Sequence, residues 1–367
     1  MALSKIQTAE MLDAPNLGRR NLVINGAMQV SQRGTSFTGH GAGVNYGIDR
    51  FFDFHNSDGA FTLSQETSVV PVGFSNALKI QTTTADSSIA AGQRLIVGTR
   101  MEGLNVAHLN WGTSNAKTVT LSFYVRSSVT GTHGGAIGNG SDNRNYPFTY
   151  TISSADTWER KSITVAGDTT GTWETGIGRS IQVTWGLGVG STYSGSAGAW
   201  AAGDKNSATG ATTAVLGTLN ATWYLTGVQL EVGSVATDFE QRSYGEELSL
   251  CSRYYHTSFS GQTTIGGSHP SLYSGKVFSW CDHYGSSPDR VAFNYQWPVQ
   301  MRDIPTVTMY GNQWTSGRVS RYNGGNNEYT IDYASGVSKN GLGGYYDVAS
   351  GATGDFVVVY VEAQSEL

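Results

Sequence analysis

Trp314, Arg318, Arg321, Tyr322, Asn323, Asn326, Asn327 and Tyr329 all fall inside one short stretch, NQWTSGRVSRYNGGNNEYT, residues 312–330. Rings of this kind stack on the C–H faces of sugars, while guanidinium and amide groups pair with hydroxyls. Aromatic and arginine side chains dominate recognition hot spots, and loops carry them without disturbing a core. The same letters also fit a plain hairpin that turns at NGGNN with Arg and Tyr toward solvent, so the spacing leaves a binding and a structural reading open. Among the tryptophans, Trp158 and Trp185 sit in alternating runs and are expected in a core. Trp158, Trp173, Trp185 and Trp200 together could instead form a sugar platform. Trp200 stands isolated in the glycine-rich stretch 191–213, where an exposed indole needs a ligand or a subunit contact.

Catalytic chemistry finds less support. Asp282, His283 and Tyr284 are adjacent, but neighbours on a strand point to opposite faces and converge only across a bulge. Glycoside hydrolysis needs two carboxyls about 5 to 10 Å apart across a groove. Asp49 and Asp53, flanking RFF, are spaced for two sides of a strand or for a cation loop, and Glu246–Glu247 read as the first turn of a helix. GLGVG (186–190) lacks the helix that a phosphate cradle requires, and GxSxG is absent. Cys251 and Cys281, the only cysteines, lack zinc spacing; two free buried thiols are the default, and one disulfide stays open. A non-enzymatic protein without cofactor or metal is expected.

The elements that must position these residues are strands. Only 14% of the 367 residues are charged, and 48 glycines stand against 7 prolines, with abundant Ser, Thr and Tyr. The net charge of −5 without a basic cluster excludes a nucleic-acid footprint. No apolar run of about 18 residues can cross a bilayer, and the first residues lack a signal-peptide h-region, so assembly in a cytoplasm is expected. Alternating runs at 50–55, 60–66, 76–84, 94–100, 118–128, 146–152, 158–165, 180–189 and 222–233 predict a two-sheet sandwich or jelly roll over residues 21–240. NLVINGAMQVSQRG reads as alternation around a turn at Asn25–Gly26, and 191–213 as a long surface loop.

Residues 241–255 predict a helical connector, capped by Ser243 with Glu246 and Glu247 in its first turn and Leu248, Leu250 and Tyr254 on its apolar side. A second small β-sandwich follows over 256–367, and its last strand, DFVVVYVEAQ, is apolar enough to be central or at a subunit contact. Residues 1–20 carry about two marginal helical turns that only a partner would order. No constant repeat appears, against a propeller or β-helix.

Three phrases, in order, carry a resemblance: NLVINGAMQVSQRG…YGIDRFF, LTGVQLEVGSVATDFEQRSYGEELSLCSRYY and WPVQMRDIPTVTMY. Together they resemble bacteriophage tail-fibre and prophage tail proteins, in which a carbohydrate-binding-module-like jelly roll is strapped to a distal domain. The resemblance implies a virion tail component, commonly trimeric. Residues 1–20 would dock on other virion proteins, and the distal body (256–367) would meet host polysaccharide or lipopolysaccharide. Threefold linkage would raise weak glycan affinity by about 10²–10⁴ and cover β edges. A purely structural virion protein and a polysaccharide depolymerase are the alternatives.

Overall fold

The computed structural model describes residues 19–212, 214–259, 277–280, 289–311, 316–322, 326–330, 336–348 and 356–367. It is an all-β fold in two compact units. The first comprises Met1–Gln29, Ser36–Tyr46 and Phe51–Arg242; the second comprises Val30–Thr35, Gly47–Arg50 and Ser243–Leu367. The break after Arg242 lies near the boundary expected from sequence, but two short pieces of the first run cluster with the second unit.

The first unit holds β1 (Ser36–Thr38), β2 (Gly43–Tyr46), β3 (Phe51–His55), β4 (Ala60–Glu66), β5 (Ala77–Thr84), β6 (Arg94–Glu102), α1 (Gly103–Val106), β7 (Val119–Ser127) and β8 (Gly131–Asn139). It continues with β9 (Arg144–Ile152), β10 (Glu159–Val165), β11 (Arg179–Val189), β12 (Ser194–Gly195), β13 (Ala201–Ala202), β14 (Ser207–Ala208) and β15 (Thr222–Val232). One sheet runs β1-β4-β5-β15-β7-β10 and the other β13-β9-β8-β11-β6-β3-β2. This is the jelly-roll sandwich, with all nine predicted runs present as strands. Between the sheets the Phe123 ring meets Trp185 and Tyr150 edge-on at 5.5 and 5.3 Å, and the Trp223 indole N–H donates to the Tyr150 hydroxyl at 3.1 Å. Burial holds the Tyr150 phenol well above its ordinary pKa.

Strand β8 is the element the sequence pattern hides. Its GTHGGAIGN looks like loop, yet it lies between β9 and β11. A Cβ at Gly135 would strike the Phe148 ring and the Thr184 carbonyl, and one at Gly134 would strike the Ser207 hydroxyl. The close approach of neighbours therefore explains glycine in a central strand.

Two further expectations are corrected here. Residues 21–28 form no strand. Their polar groups bind a bulge in β15 between Thr226 and Gln229, where Gly227 takes φ +60. Asn21 donates Nδ2–H to the Val228 carbonyl at 2.9 Å and accepts from the Leu230 amide at 3.1 Å, while Glu240 accepts from the Asn21 amide at 2.7 Å. The phrases NLVING and GVQLEVG are thus two halves of one contact. The stretch 191–213 is likewise no simple surface loop: it carries β12 to β14, and Asn206, Ser207 and Ala208 are buried against the second sheet.

The second unit holds α2 (Tyr244–Ser252), β16 (Tyr255–Thr257), β17 (Val277–Trp280), β18 (Asp289–Gln296), β19 (Thr306–Tyr310), β20 (Arg318–Tyr322), β21 (Asn326–Thr330), β22 (Gly341–Val348) and β23 (Phe356–Gln364). Strand β23 is central as predicted, pairing with β16, β17, β19 and β20. Strands β18 and β22 form a separate antiparallel pair. Trp297, Met301, Met309, Leu342, Val359, Val361 and Ala363 make its core.

Helix α2 is capped as expected, the Ser243 hydroxyl accepting from the Glu246 amide at 3.3 Å. Tyr254, just beyond the helix, is buried as expected, but the helix itself buries Glu247 and Cys251, whereas Leu248 and Leu250 are only half-buried. Arg50 and Arg33 lie over the Tyr254 and Tyr255 rings at 3.6 and 3.5 Å and both bind the Glu366 carboxylate. Asp49 accepts from the Gln32 amide and side chain at 2.8 and 2.6 Å. The pieces SQRG, IDR, RYY and QSEL, distant in sequence, close one buried clasp.

Candidate functional site

The seven-stranded sheet has one face in the core and one turned away from it. Register decides which residues share the second face. Phe52 of β3 pairs with Tyr46 of β2 and with Gly98 of β6, and Gly98 with Thr184 of β11; one step along, Arg100 pairs with Gln182. The period of two brings Phe54 and Arg94 to that face as well.

Two arginine stacks result. The Arg94 guanidinium lies 4.4 Å from the Phe54 ring and 3.9 Å from the Tyr193 ring, and it donates to Asp204 at 2.6 Å and to the Asn206 amide oxygen. Its Nε is buried with no hydrogen-bond partner, so the two rings provide the contacts there. The Arg100 guanidinium lies 4.2 Å from the Phe52 ring and donates to Gln182 Oε1 at 2.8 Å and to the Tyr46 hydroxyl at 3.2 Å. Arg179 reaches the same Gln182 oxygen at 2.9 Å and pairs with Asp142 at 2.5 Å. Burial pulls the Arg100 pKa below its ordinary value, and the nearby Arg179 charge adds to this; it remains a cation in the physiological range.

Glycine opens the space for these stacks. A Cβ at Gly98 would lie 2.7 Å from the Phe52 ring and 2.8 Å from the Val183 carbonyl. Tyr46, Phe54, Arg94, Arg100 and Tyr193 are all half-buried, so each is braced by protein and keeps part of its surface exposed. Braced rings beside fixed donors can stack on a sugar and bond its hydroxyls with little ordering cost. None of these residues was singled out from the sequence. The available signal was Arg94 and Arg100 at equal parity on one strand and Phe52 and Phe54 at equal parity on another; the register that joins them is not readable from either strand.

The tryptophan expectation is corrected. Trp200 is half-buried, not isolated: it packs edge-on against Trp111 at 5.3 Å, Trp173 at 5.4 Å and Tyr146 at 5.4 Å, and its indole N–H donates to the Ala166 carbonyl at 2.7 Å. Trp111 and Trp173 meet at 4.6 Å. Asp168 organises the loop beneath them, accepting two bonds from Arg144 at 2.9 and 2.8 Å, one from the Gly171 amide at 3.0 Å and one from the Trp173 indole at 3.3 Å. Trp185 is fully buried as predicted, and Trp158 is half-buried beside Tyr224.

The distal candidates are reached only in part. Arg318, Arg321 and Tyr322 lie on β20 and Asn326 and Tyr329 on β21, a hairpin in which Arg321 pairs with Asn327, Tyr322 with Asn326 and Val319 with Tyr329. Trp314, Asn323 and the Asp282–His283–Tyr284 run lie outside the described residues.

Asp49 belongs to the second unit, where burial raises its pKa, and Asp53 belongs to the first. The fully buried Asp53 carboxylate meets His40 Nδ1 at 2.5 Å and accepts from the Asn45 amide at 3.3 Å, which ties down the chain between β1 and β2. Among the described residues no group of three His, Cys, Asp or Glu side chains is placed to hold a metal ion. Cys251 is a free, buried thiol; Cys281 is outside the described residues.

No family model matches the chain, and no curated protein matches it. Solved structures do. The enzymatically active domain of tailspike protein 4 of bacteriophage CBA120 aligns over 58% of this chain at 8% identity and a TM-score of 0.31, and the match spans only 22% of that tailspike's length. A putative sugar binding protein from Bacteroides thetaiotaomicron aligns over 58% of this chain and 100% of its own at 13% identity, with a TM-score of 0.33. The family 11 carbohydrate-binding module of the Clostridium thermocellum cellulase Lic26A-Cel5E aligns over 53% and 97% at 9% identity, with a TM-score of 0.28. At these values the likeness assigns no role to any residue here; the jelly-roll assignment rests on the strand order and core above.

Proposed function

We propose that the protein is a non-catalytic glycan-binding component of a phage virion tail, attaching the particle to host cell-surface polysaccharide or lipopolysaccharide. The observation that carries the reading is Arg94 held between the Phe54 and Tyr193 rings, with Arg100, Gln182 and Tyr46 on the same face. Braced aromatic planes beside several cationic and amide donors suit a sugar of neutral to mildly acidic character. The tail-fibre assignment draws on the resemblance of the three phrases, two of which meet in contacts inside each unit.

A single sugar site of this kind binds weakly, and a homotrimer would supply avidity of about 10²–10⁴ without new contacts. Residues 1–20 are the proposed virion-docking segment, and the β20–β21 hairpin remains the proposed distal contact. The decisive experiment measures binding of the purified chain to host polysaccharide and adsorption of particles, for wild type and for Arg94→Ala/Tyr193→Ala. Loss of at least tenfold in affinity supports the reading, and unchanged binding with unchanged folding overturns it. Release of reducing ends from the polysaccharide would replace it by a depolymerase, and a light-scattering mass other than three times 39.2 kDa would remove the trimer.

A further inference from the structure

In the second unit, β18 and β22 pair with Asn294 opposite Gly343, Tyr295 opposite Leu342 and Gln296 opposite Gly341. Leu342 is part of the core and Tyr295 packs against it. The period of two therefore places Asn294, Gln296 and the two glycines on the other face. Such a face is ordinarily filled by side chains standing opposite one another across the strands. At these two positions an exposed amide faces a glycine, so half of each of the two pairs is missing.

A trough of about 440 Å³ results, walled by Asn294 and Gln296 and by Ser338 and Asn340 of the turn before β22. That turn is held from the core side. The Trp297 indole donates to the Ser338 carbonyl at 3.0 Å, the Trp297 amide to the Asn340 carbonyl at 3.1 Å, and the Met301 amide to the Lys339 carbonyl at 2.8 Å. The Ser338 hydroxyl closes the turn onto the Gly341 carbonyl at 3.1 Å, and Gln300 donates to the Asn340 amide oxygen at 3.3 Å. No lining residue is charged, and the neighbouring Lys339 is paired with Asp303 at 3.2 Å.

We infer that this trough is a second saccharide subsite, selective for a neutral sugar and separate from the arginine–aromatic face of the first unit. The inference rests on the glycan-binding reading above and deepens it. The volume lies within the range of about 300–1,000 Å³ usual for small-molecule sites, but the trough is open to solvent and would receive one side of a sugar ring instead of enclosing it. The Ser338 hydroxyl is spent inside the turn, donating to the Gly341 carbonyl and accepting from the Asn340 and Gly341 amides, so the side-chain amides of Asn294, Gln296 and Asn340 supply the donors and acceptors that vicinal sugar hydroxyls require. With no charged side chain in its lining, the trough offers an acidic or basic sugar no counter-charge, and neutral hydroxyls are what its amides match.

The test probes an array of neutral and anionic oligosaccharides with the full chain as wild type, Asn294→Ala/Gln296→Ala, Gln296→Trp and Arg94→Ala/Tyr193→Ala. Residues 294 and 296 are exposed, so their variants should unfold at the wild-type midpoint. The expected result is binding of at least one neutral glycan that falls tenfold or more in both trough variants and persists in Arg94→Ala/Tyr193→Ala. Neutral-glycan binding left intact by the trough variants overturns this inference. Wild-type binding confined to anionic glycans also overturns it, while leaving the first-unit reading standing. A wild-type chain that binds no glycan at all removes both.

Discussion

Replacing Asp168 by alanine is the sharpest probe of how the tryptophan cluster is held. Its side chain is 1% exposed and accepts two bonds from Arg144 together with those from Gly171 and Trp173. Removing one partner of a buried pair costs about 3–5 kcal/mol. The Arg144 side chain is 25% exposed, so water recovers most of its solvation and the pair's own share drops to about 1 kcal/mol. The Gly171 amide and Trp173 indole each lose an acceptor worth about 1 kcal/mol. A net loss of about 3 kcal/mol is expected for Asp168→Ala, and about half of that for Asp168→Asn, which keeps one acceptor oxygen.

In a unit of this size that corresponds to a lower melting temperature by roughly 6–12 °C. Urea unfolding followed by indole fluorescence reads both the lower midpoint and an altered emission as Trp173 and Trp200 loosen. The pH dependence supplies a second check. Burial raises the Asp168 pKa, but the bonds from Arg144 and the Thr170 amide outweigh it and hold the carboxyl below its ordinary 3.8. The wild-type advantage is therefore complete above about pH 4 and is lost as pH falls below the ordinary value. A variant that unfolds within about 0.5 kcal/mol of wild type, with unchanged emission, would refute the reasoning.

Three further outcomes are expected. Burial holds the His256 pKa down to about 4, so the second unit should lose up to about 3 kcal/mol as pH falls from 6.5 through 4, and His256→Gln should flatten that slope in acid titration followed by circular dichroism. Gly98→Ala should destabilise the first unit by about 1–3 kcal/mol in urea, because the added carbon meets a ring and a carbonyl and only the ring can move. Cys251 should resist a thiol reagent in the native protein and react on unfolding, since burial, with Asp49 and Glu247 nearby, pushes its pKa well up.

How far these features were readable depends on how local their causes are. The nine runs of the first unit alternate because one side of each strand is buried, and that cause acts within a few residues. Ser243 and Glu246 mark the start of α2 for the same reason. Strand β8 was unreadable because its glycines answer to Phe148 and Ser207, which come from elsewhere in the chain. The site behaved likewise. Trp200 looked solitary because Trp111, Trp173 and Tyr146 join it only through the fold, and Arg94 looked like an ordinary strand end until Tyr193 closed over it.

By itself the sequence determined the all-β class, the place of most strands, the capped helix and the absence of a basic footprint, since each follows from composition or from spacing along a short segment. The tertiary structure alone decided which face of the seven-stranded sheet gathers arginine on aromatic rings, why glycine opposite amide leaves a trough, and why phrases more than 200 residues apart, such as Gln32 and Tyr255, belong together. The physical reason is register: a strand's pattern tells which residues share a side, but only hydrogen bonding to its neighbours tells which residues they stand beside.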